Sequence, residues 1–320
     1  MSAFDIFTNL TYPRIVWTYF DRPFTPFISS IITHTNNTIG SSWKINIVGK
    51  ANIRKFFDLS TFPKHFFSLY PQNQADYIRL RLLQDYGGLW MDASTFITSS
   101  LVITSSVDQG EQDKSHLIAF RNYQLCPQTF IENGVMYAPK GSAIIQSWLV
   151  EMERLFALGP QSYIHSVYRN GVTLPCMIFR KYPNILTYHS VYACLQYALH
   201  RVVPRHIHMT TFDVYDYYYK LIGDCSWNTF CIARKYLNKT ALNTYPITKF
   251  TRTEREFLDP YYKRGKIRFF DINPTVSDTK QNLTFHCYYS FTICFLFYFT
   301  ILTTLSSGFD SLSICFYHRN

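Results

Sequence analysis

At 320 residues, with 47% hydrophobic content and a net charge of +10 at neutral pH, the chain can bury a full core and is drawn to anions. Aromatic residues make up 18%, nearly all of them phenylalanine and tyrosine, a share most simply spent on packing. No RNP-type run, zinc finger or paired-helix signature accompanies the charge, so nucleic acid is not an expected partner, and the lack of G-x-S-x-G, H-E-x-x-H and Walker A patterns excludes the hydrolases built on them.

Met1–Leu10 lacks the basic start and apolar run of a signal peptide. Arg14–Phe20 reads as a first strand and Pro26–His34 as a helix. Trp43–Val48 (WKINIV) alternates like a strand, with Ile45 and Ile47 on one face and Lys44 and Asn46 opposite. Ile53–Phe57 reads as a helical turn. The core of the chain is Gln74–Ser94, QADYIRLRLLQDYGGLWMDAS. Asn73 suits the N-cap of a helix, Asp76 falls in its first turn, and Leu80, Leu83 and Tyr86 have apolar spacing. Gly87 can take the left-handed conformation that ends a helix. Leu89–Met91 makes a short buried strand, and Asp92 emerges where strands of open α/β sheets meet ligands. Leu117–Arg121 and Gly134–Ala138 are further strands, and Ala143–Leu158 is a long amphipathic helix. Val191–His200 and Phe212–Leu221 read as helical; beyond Cys225 no element is assigned. Helices alternating with strands predict an α/β fold with a mostly parallel sheet.

Asp76 and Arg79 stand three apart and share a helix face. They read either as a plain ion pair or as a ligand pair, Asp76 holding a sugar or nucleoside hydroxyl and Arg79 a phosphate. Arg81 points away and reads as structural or solvated. The eight cysteines, Cys225 and Cys231 among them, form no C-x-x-C pair, which argues against structural zinc and a dense disulfide framework and predicts buried free thiols in a reducing compartment. Sequons stand at Asn9, Asn36, Asn238 and Asn282 and matter only in a secretory lumen. Lys263, Arg264, Lys266 and Arg268 form the densest basic cluster and read as a solvated face or an anion contact. His165 and His189 read as structural. Cys287–Leu305, CYYSFTICFLFYFTILTTL, carries no charge; it reads as a bilayer-spanning helix or as a pair of buried β segments. A spanning tail flanked by Lys280 and Arg319 would keep the N-terminal part on the cytoplasmic face of a membrane. The expected division is a domain over 1–275 and a tail over 276–320.

The run DYIRLRLLQDYGGLWMDAS resembles the core of the capsular-polysaccharide-synthesis and sugar-binding-DXD glycosyltransferases, related to glycosyltransferase family 32. YPRIVWTYFDRPFTP (Tyr12–Pro26) resembles the family's opening strand, and FIENGVMYAPKGSAIIQSWLVEM (Phe130–Met152) its later block. The resemblance implies a Rossmann-like GT-A domain and a nucleotide-sugar transferase that moves a sugar to a hydroxyl of a glycan, polysaccharide or glycolipid acceptor. It implies a divalent cation, manganese or magnesium, at an Asp-x-Asp motif. Here Asp92 matches the first aspartate and Ser94 stands at the second, so Asp92 would be the catalytic metal ligand, with Ser94 assisting and with weak metal affinity in the absence of nucleotide. By the same resemblance Trp17 would lie against the base and Thr18 beside it, Asp76 and Arg79 would hold the donor, and Glu132 and Asn133 would face the reacting sugar or acceptor. Retention of configuration is implied. The competing expectation is a degenerate, non-catalytic nucleotide or sugar binder, or a membrane-associated interaction protein.

Overall fold

The computed structural model describes residues 13–39, 43–98, 117–123, 130–169, 186–199, 209–237, 245 and 247–263. The predicted tail helix 287–305, the basic residues Arg264, Lys266 and Arg268, and the sequons at Asn9, Asn238 and Asn282 lie outside them. Asn36 is exposed on the first helix. Among the described residues no helix is long and apolar enough to cross a membrane.

The chain begins with β1 (Ile15–Tyr19), α1 (Pro26–Thr38) and β2 (Lys44–Val48). Pro26 sits at the first helical position and the Thr25 hydroxyl accepts from the Ile28 amide, so α1 starts on a side-chain cap. Three short 3-10 turns lead to α2 (Pro71–Tyr86), followed by β3 (Gly88–Met91) and β4 (Thr95–Ile97). Then come β5 (Leu117–Arg121), β6 (Ile131–Ala138), α3 (Ala143–Leu158), α4 (Pro160–Arg169) and α5 (Leu186–Tyr197). The described chain closes with β7 (Met209–Asp213), α6 (Lys220–Asp224), α7 (Thr229–Leu237), β8 (Ile247–Lys249) and α8 (Arg252–Lys263).

Six strands form one sheet in the order β2-β1-β3-β6-β5-β7, and β4 pairs with β8 in a separate ribbon. The pairings β2–β1, β1–β3 and β5–β7 are parallel, while β6 runs against both neighbours. The expected α/β fold with a mostly parallel sheet is therefore present. Side chains alternate between its faces, as strand geometry requires, apart from a register shift between Ala119 and Phe120 where β5 meets β6. Trp17, Trp90, Ala119, Met136 and Ala138 enter one core with residues of α2, α3, α4 and α5. Val16, Leu89, Met91, Ile118, Val135 and Tyr137 enter another on the opposite face. A third cluster joins α1, α6, α7 and α8 to Ala93 and Phe96.

Two local expectations are corrected. Helix α2 opens at Pro71, with no side-chain cap from Tyr70, so Asn73 lies inside it and Asp76 in its second turn. Proline at the first position needs no donor there, which lets the helix start earlier than a cap would place it. Phe212 belongs to strand β7, not to a helix, because pairing with β5 completes the sheet edge; helical turns resume only at Lys220. The C-terminal limit of α2 agrees with expectation. Gly87 has φ of 70°, and a Cβ there would stand 2.5 Å from the Lys140 amide nitrogen. Ile78, Leu80, Leu82 and Leu83 are fully buried; each contributes about 2 kcal/mol of burial free energy, so α2 is fixed firmly against the sheet.

Candidate active site

Helix α2 and strand β3 are joined by one glycine, so a side chain on the helix can meet the residue after the strand. Arg79 does this. Its Nη1 donates to Asp76 Oδ1 at 2.7 Å and its Nη2 to Asp92 Oδ1 at 2.9 Å. Its guanidinium lies over the Trp90 ring, 4.8 Å from the centroid, and the Trp90 indole N–H also donates to Asp92 Oδ1 at 2.9 Å. The Asp92 amide donates to the Gly134 carbonyl at 2.8 Å, which ties the strand end to β6. On its other side the turn is strapped by β8: Thr95 pairs with Lys249, and the Phe250 amide donates to the Ser94 carbonyl at 3.0 Å. That pairing carries the Lys249 ammonium onto Asp92 Oδ2.

Strand β6 supplies the rest. Asn133 Nδ2 donates to Asp76 Oδ1 at 3.0 Å, and the Tyr192 hydroxyl reaches Glu132 Oε2 at 3.2 Å and Asn133 Oδ1 at 3.3 Å. Asn122 and Tyr219 lie near enough to Glu132 to stabilise its charged form. Gly134 leaves room for this crowding: a Cβ there would sit 1.8 Å from the Tyr218 hydroxyl and 3.2 Å from Asp92 Oδ2. The expected residues Asp76, Arg79, Asp92, Glu132 and Asn133 thus converge on one place.

Charge in this cluster follows from burial and neighbours. Burial opposes charge on Asp92, but Lys249 and Arg79 outweigh it and hold the carboxyl below its usual range. Burial also pulls Lys249 down, with Asp92 opposing, and the two form an ion pair. Asp76 is pushed up to about 6 by burial, Arg79 notwithstanding. Glu132 is pushed up to about 7 by burial, with Tyr219, Asn122 and Tyr192 only partly opposing. The phenols of Tyr192, Tyr218 and Tyr219 are raised well above their usual range by burial, so they act as neutral donors.

Residues 24–149 match the family model described as capsular polysaccharide synthesis protein. The matched segment holds Asp76, Arg79, Asp92, Ser94, Glu132 and Asn133; Lys249 lies beyond it. The chain is also 23% identical over 162 residues to the O-glycosyltransferase braB of Annulohypoxylon truncatum, covering 46% of this chain and 38% of that protein. The match therefore spans well under half of the curated relative's length. Two solved structures are similar at low TM-score. One is a glycosyltransferase involved in the glycosylation of the major capsid of PBCV-1, with a TM-score of 0.41 and 11% identity, covering 78% of this chain and 98% of that one. The other is the PaToxG glycosyltransferase, with a TM-score of 0.33 and 13% identity, covering 62% and 83%.

Several expected contacts find other partners. Trp17 is core: its indole N–H donates to the Gly87 carbonyl at 2.8 Å and its ring packs on Phe56 and Tyr86, so it presents no free face to a base. Thr18 is fully buried, and its hydroxyl has no hydrogen-bond partner. Arg79 spends both terminal nitrogens on carboxylates and its side chain is 4% exposed, which leaves it behind the site, without a free fork for phosphate. Arg81 is structural, bonded to Tyr77 and Asp85 and lying over Phe57 and Phe62. His165 is exposed on α4. The expected free thiols are corrected at one point: Cys225 and Cys231 are disulfide-bonded, while Cys194 is free and buried. A sequence separation of six allows the bond where no C-x-x-C signal announces it.

The donor set does not fit a resident divalent ion as arranged. Asp92 Oδ1 already accepts two N–H bonds and Oδ2 faces an ammonium. Ser94 adds only a neutral oxygen, and among the described residues no group of three His, Cys, Asp or Glu side chains could hold a metal. Sequence reasoning missed Lys249, Trp90, Tyr192 and Tyr218. Trp90 was within the motif, and its position two before Asp92 was the available signal. Lys249 is 157 residues from Asp92 and gives none.

Proposed function

We propose that the protein is a glycosyltransferase that moves a sugar from a nucleotide-sugar donor to a hydroxyl of a glycan, polysaccharide or glycolipid, with retention of configuration as the family resemblance implies. The observation that carries this reading is the Asp92 carboxylate at the end of β3, held by Arg79 and Trp90 and bearing a lysine, within the matched segment. In the reaction the bond from the sugar's anomeric carbon to the diphosphate oxygen breaks, and its electron pair leaves with the nucleoside diphosphate. The acceptor oxygen forms the new bond to that carbon and gives up its proton to water. The chain's own part is electrostatic. Fixed cations beside the departing diphosphate stabilise the charge that develops on it without reorganising. The Tyr192–Glu132–Asn133 lattice supplies neutral donors and acceptors suited to sugar hydroxyls. A manganese or magnesium ion entering with the donor would have to displace Lys249 from Asp92.

The test is a panel of nucleotide sugars assayed for nucleoside diphosphate release, with and without Mn²⁺, using wild type and Asp92→Ala. Release that depends on the donor and disappears in the variant supports the proposal; no release with any donor refutes it. The second reading is a non-catalytic nucleotide or sugar binder, favoured by Ser94 at the second motif position. It requires nucleotide binding without turnover.

The tail over 276–320 we propose as a membrane anchor, through 287–305, that keeps the domain beside lipid-linked acceptors on the cytoplasmic face. The Cys225–Cys231 bond pulls the other way, since such bonds persist in oxidising compartments. Protease digestion of intact vesicles carrying the full chain decides: a digested domain supports the cytoplasmic face, and a protected domain refutes it.

A further inference from the structure

We infer that Lys249 is the cation this site presents to the donor's diphosphate, occupying with Asp92 the place where an Asp-x-Asp motif would hold a metal ion. The inference rests on the transferase reading and deepens it. Exposure separates the cations. The side chains of Lys249 and Asp92 are each 21% exposed, whereas that of Arg79 is 4% exposed, so an entering anion meets the ammonium and not the guanidinium. An ammonium has three donors. One is given to Asp92 Oδ2, which leaves two to point at phosphate oxygens.

The supports around it are fixed. Lys249 is the last residue of β8, in register with Thr95 of β4, so the ribbon sets its height above the turn. Asp92 is in turn oriented by Arg79 and Trp90 through its other oxygen. Arg79 is therefore a positioning residue, holding Asp92 so that Asp92 can hold Lys249. Arg255, half-buried in the first turn of α8, adds positive charge within electrostatic reach of both Asp92 and Lys249. Ser94 at the second motif position agrees with this arrangement: it offers a neutral oxygen where a second carboxylate would strengthen the hold on a divalent ion, and a lysine needs no such carboxylate.

The experiment is calorimetric titration of the full chain with UDP, GDP, CDP and ADP in EDTA and again with Mn²⁺, for wild type, Lys249→Met and Lys249→Arg. The expected result is wild-type binding in EDTA that Mn²⁺ changes by less than about threefold. Lys249→Met weakens binding by about tenfold or more and regains part of it with Mn²⁺, while Lys249→Arg stays within about threefold. Wild-type binding that vanishes in EDTA and returns with Mn²⁺ overturns the inference and leaves the transferase reading standing. Equal binding by wild type and Lys249→Met also overturns it. Failure of every nucleoside diphosphate in both media overturns the inference and the transferase reading together. If Lys249→Met does not fold, the wild-type comparison of EDTA with Mn²⁺ decides alone.

Discussion

Glu132 offers a sharp physical test of the buried lattice, independent of any substrate. Its side chain is withdrawn from water and burial pushes its carboxyl from 4.5 to about 7. A carboxyl raised in this way binds a proton in the folded chain that the unfolded chain has already released. Its contribution to stability is therefore present at low pH and lost as pH climbs through the folded value. Integrating the linkage relation for a shift from 4.5 to about 7 gives a loss of about 2–3 kcal/mol between roughly pH 5 and pH 8. Glu132→Gln keeps an acceptor for Tyr192 but cannot titrate, so it should lose this term. Urea unfolding of wild type and variant at the two pH values gives the double difference directly. The variant should gain on wild type by about 2–3 kcal/mol as pH rises from roughly 5 to 8. Parallel pH dependences for the two proteins would refute the reasoning and place Glu132 in contact with water.

The remaining predictions concern the supports of the site. Arg79→Met leaves Asp76 and Asp92 with less compensation in a buried place and should cost about 3–5 kcal/mol in urea unfolding at pH 7; a loss below about 1 kcal/mol would mean the pair is not buried as described. Gly134→Ala drives a methyl into the Tyr218 hydroxyl and should cost about 1–3 kcal/mol. Adding Tyr218→Phe should recover part of that, and strict additivity of the two changes would deny the contact. The Cys225–Cys231 bond closes a short loop, which the chain-entropy relation values at about 2 kcal/mol. Melting should fall on reduction in wild type and be insensitive to reductant in Cys225→Ser; identical behaviour of the two would show that the bond does not form.

The helix–glycine–strand–aspartate run was legible in the sequence because each of its parts is local. Apolar spacing marked α2, Gly87 marked its end, and Leu89–Met91 led straight to Asp92. The strands Lys44–Val48 and Leu117–Arg121 were equally plain from alternation or apolar run. The sequence also brought Asp76, Arg79 and Asp92 together, since a helix and strand joined by one glycine leave little freedom. The direction of Arg79 was decided only by the fold: two carboxylates with few other donors took both ends of its fork. Trp17 was likewise claimed by the core because the Gly87 carbonyl needed a donor. Lys249 was invisible in advance, since a single lysine in a three-residue strand has no period and no motif. Its meaning comes from the β4–β8 pairing, a long-range contact that no local preference encodes.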